Sequence, residues 1–137
     1  MSVRFAGYAA IFDHPDRGGD VVRAGAFGTP GRVPLLWQHR GRPVGVIEAL
    51  SEDARGLRVI GRIDDPALAE RVRTGAVTGL SFGYRATGVK HRHYRELTHV
   101  ALIEVSLVAQ PMQPLARVHA VGDPNCRPTN VLQCVAG

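Results

Sequence analysis

At 137 residues the chain has room for one domain with a single core, and its 45% hydrophobic and 21% charged residues are those of an ordinary globular protein. No stretch approaches the ~18 consecutive apolar residues of a membrane helix, and Met1-Ser2-Val3-Arg4-Phe5 lacks an apolar signal core, so a membrane role is excluded and a cytosolic location expected. The net charge of +5 would suit nucleic acid or an acidic protein, but the arginines from Arg40 to Arg95 form no run and no aromatic-interleaved motif, which points to a solvated surface and against a nucleic-acid partner.

In chain order, Phe5 to Phe12 reads as a first strand, followed by a turn-rich loop from Asp13 to Asp20 and the pair Val21-Val22. Val33 to His39 is a second strand with Leu35, Trp37 and His39 on one face; it places His39 at the strand end, before an Arg40-Gly41-Arg42-Pro43 turn. Val44 to Ala49 is a third strand and Ser51 to Gly56 a polar turn. Leu57 to Ile63 is a fourth, with Leu57, Val59, Gly61 and Ile63 sharing a face. One helix is expected: Asp65 caps it, Pro66 fits its first position, Leu68, Ala69 and Val72 make its apolar stripe, and Gly75 ends it.

Val77 to Tyr84 returns to strand, Arg85 to Arg95 forms a polar hairpin or loop, and Val100 to Ala109 is the most apolar strand, stopped by Pro111 and Pro114. From Val121 the pattern dissolves into a tail carrying Cys126 and Cys134, so no disulfide framework supports the core. Zinc would lack two ligands, with only His119 nearby. Six or seven strands with one helix and hairpin-scale connections predict a mainly β fold, a closed or nearly closed β-barrel with a peripheral helix. The domain is placed at residues 1–120 and the tail at 121–137.

Three stretches carry the chemistry. Around Ser81 the strand period puts Gly79, Ser81 and Gly83 on one face, so both same-face neighbours of the hydroxyl lack a side chain. The expected consequence is a hollow that a substrate carbonyl can enter; the alternative is that the glycines relieve crowding at a barrel corner and Ser81 is passive. The match to GxSxG is not the nucleophile elbow of the α/β-hydrolases, because the residues after Tyr84 do not read as a helix. His39 can serve as general base for Ser81, or be an ordinary surface histidine. Glu104 interrupts an apolar strand and needs a partner: an arginine such as Arg85 or Arg95, or His39, which it would then orient. His91, His93 and His99 are rivals for that third role, His93 first among them.

Phe5-Ala6-Gly7-Tyr8-Ala9-Ala10, Gly25-Ala26-Phe27, Pro34-Leu35-Leu36-Trp37-Gln38-His39, Pro43-Val44-Gly45, Gly56-Leu57, Gly79-Leu80-Ser81-Phe82-Gly83-Tyr84 and Glu104-Val105-Ser106-Leu107-Val108, in that order, resemble the tailed-bacteriophage prohead proteases from about Phe5 to His119. The resemblance implies a serine endopeptidase of the herpesvirus-assemblin type, a β-barrel with surrounding helices that needs no cofactor. It would act inside the procapsid, in the bacterial host cytoplasm, on the major capsid protein precursor and its scaffolding segment, with self-association and self-cleavage. By the same similarity Ser81 is the nucleophile, His39 the base and Glu104 the third member, where assemblins use a second histidine. Arg40 and Pro111-Met112-Gln113-Pro114 depart from the family pattern, which has an acidic or polar residue at the first position and an asparagine in the second motif. Backbone N–H groups beside the glycines, or Arg85, are the candidate oxyanion donors. The competing functions are a non-enzymatic capsid-assembly factor with a protease-like fold and a small-ester hydrolase.

Overall fold

Short runs of alternating apolar residues between turn formers build strands, and the structure, a computed structural model describing residues 2–122, contains eight of them and one helix. These are β1 (Val3–Ile11), β2 (Asp20–Val22), β3 (Leu35–Trp37), β4 (Arg40–Glu52), β5 (Gly56–Ile63), α1 (Pro66–Arg73), β6 (Gly79–His91), β7 (Arg95–Val108) and β8 (Val118–Gly122). All strands belong to one sheet in the order β2-β7-β3-β4-β5-β1-β8, with β6 paired along the other edge of β7. β2 and β3 run parallel to β7, near its start and its end; every other pairing is antiparallel.

The mainly β expectation holds, but two details differ. There are eight strands rather than six or seven, because β2 and β8, three and five residues long, offer too few alternating positions to be read from sequence. The sheet is not closed into a barrel. Among the described residues β6 meets the chain ahead of β8 at a single isolated bridge, Gly79 to Arg117, and Pro111 and Pro114 in that segment have no N–H to give to a ladder. β8 carries Val121 and Gly122 onto β1; the rest of the expected tail, with Cys126 and Cys134, lies outside the described residues.

The helix forms as its sequence dictates. The Asp65 side chain accepts a hydrogen bond from Leu68 N at 3.0 Å, Pro66 opens the first turn, and the chain leaves through Thr74 and Gly75, the latter at φ +82°. Its stripe of Leu68, Ala69 and Val72 is buried in a core shared with Phe5, Leu35, Leu57, Val59, Ile63, Leu80, Val105 and Leu107. Burying each of the larger aliphatic groups contributes about 1.5–3 kcal/mol. Ala6, Ile60 and Ala120 pack together on the opposite face, which is why β1 is buried on both sides. Among the described residues no helix is long and apolar enough to cross a membrane.

Two local expectations shift. The turn after β3 is not Arg40 to Pro43, which lies in β4, but Gln38-His39. Ile103, in the strand expected to be the most apolar, is 57% exposed, because a bulge pairs Gly83 with Glu104 but Tyr84 with Leu102 and leaves Ile103 over.

Candidate active site

His39 stands on a two-residue turn joining Trp37 of β3 to Arg40 of β4. Gln38 and His39 both have left-handed backbones, at φ 55° and 64°, as a tight hairpin with native strand twist requires. Each such residue without glycine costs roughly 1–2 kcal/mol. The end of β7 and the residue beyond it hold the turn: Gln38 N donates to Leu107 O at 2.9 Å, Ala109 N donates to the Gln38 side-chain oxygen at 2.7 Å, and His39 N donates to Ser106 Oγ at 3.0 Å. His39 is therefore past its strand, not on the same face as Leu35 and Trp37.

Glu104 comes from β7, its carboxylate only 7% exposed. One oxygen meets His39 Nδ1; the other accepts from Ser106 Oγ at 2.5 Å. Ser106, wholly buried, thus ties the backbone of His39 to the carboxylate that grips its ring. The partner is His39 and not an arginine: Arg95 instead forms a two-pronged pair with Asp20, at 3.0 and 3.2 Å. A carboxylate on Nδ1 fixes the proton there and leaves Nε2 as the ring's open acceptor.

Ser81 lies on β6 directly opposite Ser106, a ladder position that brings Cβ atoms to about 4.5–5.5 Å. It is 8% exposed, and its hydroxyl has no hydrogen-bond partner among the described residues. Ser81 and His39 line one cavity of about 260 Å³, shared with Asp20, Tyr84, His14 and Gln113. Tyr84 donates to Asp20 at 3.3 Å; burial, followed by the Asp20 charge, pushes its phenol above the usual range.

The glycines beside Ser81 do not open a hollow for substrate, as the sequence suggested. A Cβ on Gly83 would fall 3.0 Å from Glu104 Cγ and Cδ, and one on Gly79 would fall 2.8 Å from Pro111 Cδ. They are bare because the carboxylate crosses one and the chain after β7 crosses the other.

The remaining candidates lie elsewhere. His91 pairs with Arg95 at the far end of the β6–β7 hairpin, ten residues from Ser81 and about 30 Å along the strand. His93 sits in the hairpin turn against Tyr94, and His99 is exposed opposite Gly88. Arg85 is exposed and does not line the cavity. Two residues of the site escaped the sequence reading. Ser106 shares Glu104's strand face in an apolar segment, a signal that was available; Gln113 sits in a loop with no periodic pattern to mark it.

A family model described as Caudovirus prohead serine protease matches residues 1–126. The prohead protease of Enterobacteria phage HK97 is 32% identical over 92 residues, which are 58% of this chain and 41% of that protein, so the chain spans less than half the length of this relative. Among solved structures, the KSHV protease in complex with a hexapeptide phosphonate inhibitor has a TM-score of 0.61 at 15% identity, over 90% of this chain and 66% of that one. A second KSHV protease structure has a TM-score of 0.52 at 16% identity, over 97% and 72%. At such identities the likeness is one of fold.

Proposed function

The chain belongs to the caudovirus prohead serine protease family, and on that premise we propose that it is a serine endopeptidase of capsid maturation. Its substrate is the major capsid protein precursor with its scaffolding segment, inside the procapsid within the bacterial host, and it also cuts copies of itself. The observation that carries this reading is the grip of Glu104 on His39 Nδ1, with the same imidazole and the Ser81 hydroxyl bordering one cavity.

In the proposed reaction Ser81 Oγ attacks the peptide carbonyl while His39 Nε2 takes its proton, and the buried Glu104 carboxylate stabilises the resulting imidazolium. The amine leaves with the proton from His39; water, activated by the same imidazole, then releases the acyl group from Ser81. Ser106 is a positioning residue, since it holds both the turn and the carboxylate.

The test is incubation of the protein with the cognate capsid precursor, read by mass spectrometry. The wild type shortens the precursor, whereas Ser81→Ala and His39→Ala, both folded, leave it intact. A precursor of unchanged length in every case would make the chain a capsid-assembly factor, and normal cleavage by Ser81→Ala would remove the nucleophile assignment.

A further inference from the structure

Among the described residues, one buried side-chain polar atom has no hydrogen-bond partner, and it is Gln113 Nε2. The residue is 8% exposed and borders the cavity of Ser81 and His39. Its orientation is fixed, because Leu115 N donates to Gln113 Oε1 at 2.9 Å; exchanging the two ends of the amide would set an NH₂ against an N–H. The carboxamide therefore keeps its acceptor for its own loop and holds its two donor hydrogens unused. Native proteins rarely leave such a group buried and empty-handed, and each one calls for an explanation, a catalytic role among them.

The loop bearing Gln113 is locked to the strand bearing Ser81. Leu80 N, next to the serine, donates to Ala116 O at 3.0 Å, and Ala116 N donates back to Gln113 O at 2.9 Å. Pro111 packs into the space left by Gly79, and Met112 O accepts from Arg17 N at 2.9 Å. A donor that is already oriented before substrate arrives, on a loop tied to the nucleophile's own strand, meets the requirement for stabilising charge that develops during reaction.

We propose that Gln113 Nε2–H donates to the oxygen of the scissile carbonyl as it becomes an oxyanion, an assignment that rests on the protease reading above. As the Ser81 Oγ–carbon bond forms, the carbonyl π pair moves onto oxygen and the serine proton passes to His39. The anion accepts the Gln113 hydrogen bond, and collapse restores the carbonyl and expels the amine. Arg85, exposed and away from the cavity, does not fill this role.

The experiment is the rate at which a small fluorophosphonate labels Ser81, followed by intact mass and peptide mapping. The phosphoryl oxygen takes the oxyanion position as Oγ attacks phosphorus and fluoride leaves, so no capsid substrate is needed. Gln113→Glu keeps an acceptor for Leu115 N but removes the donor; Gln113→Met removes both at similar size. Both are read at a temperature where circular dichroism shows them folded. The expected result is wild-type labelling at Ser81, none in Ser81→Ala, and labelling slowed about 100-fold or more in both Gln113 variants. Folded variants labelled at the wild-type rate would overturn the role of Gln113 and leave the protease reading standing. A wild type that is not labelled at Ser81 would overturn both.

Discussion

Glu104 concentrates the chemistry of the site in one side chain. Its two oxygens are committed to His39 and Ser106, and it is buried in a strand that is otherwise apolar. Glu104→Gln keeps the shape but has one acceptor where two are used, and it removes the charge that steadies an imidazolium. The expected outcome is a fall in kcat of about 10³–10⁴-fold with the fold retained, measured on the capsid precursor. Unchanged kcat would take the third role away from Glu104. Gly83 gives a second test of the same geometry from the opposite strand. The methyl of Gly83→Ala would enter the space of the Glu104 side chain, so either β7 or the carboxylate must move. The expected cost is about 1–3 kcal/mol in stability, together with a loss of activity larger than tenfold. A variant as active as wild type would mean that the carboxylate can leave its place without consequence.

At the scale of elements, α1 and β5 show what local sequence can specify. Cap, first-turn proline, apolar stripe and terminating glycine all fall within a few residues of one another, and each found the role its chemistry assigns. Asp65→Ala should therefore cost about 0.5–2 kcal/mol, read as a lower urea midpoint at unchanged m, with cleavage unaffected. Loss of cleavage in step with stability would show that α1 also steadies the Trp37–His39 turn, since Arg71 lies 5.0 Å over the Trp37 ring. What the sequence could not disclose depends on partners far away in the chain. The Gln38-His39 turn contains no glycine or asparagine and exists because Leu107, Ala109 and Ser106 hold it. Residues Arg85 to Arg95 read as a polar hairpin or loop, and between those two only the ladder on β7 decides: Arg85 to His91 continue β6 and Arg95 opens β7. The bulge at Ile103 likewise leaves no local mark, although it sets which residues of β7 turn inward. Of the site, the residue types of His39, Ser81 and Glu104 and their order along the chain were legible; how they meet was not, because it depends on the pairing of β6 with β7 and on the turn after β3 being held against β7.

The whole molecule is basic, yet several of its carboxylates are taken up by arginines, and this couples stability to pH. Arg23 beside Glu96, Arg62 beside Asp64 and Arg73 beside Glu70 each hold a carboxyl below its ordinary range. A group whose folded value is depressed contributes stability above its unfolded value and loses it as pH falls through the folded one, so these pairs fail in acid, below about pH 4.5. His119 adds an earlier step. Loss of hydration, followed by the charges of Arg58 and Arg55, holds its imidazole below the usual value. The unfolded chain then takes up a proton near pH 6.5 that the folded protein declines, and stability decreases as pH falls from there until the folded histidine also protonates. The expected thermal midpoint is level above about pH 7, declines below 6.5 and drops more steeply below 4.5. His119→Gln should abolish its own part of the first decline and leave the second untouched, and the difference between the two curves isolates that one histidine from the others. Parallel curves between pH 6.5 and 5 would mean that neither burial nor the arginines around His119 lower its proton affinity in the folded protein.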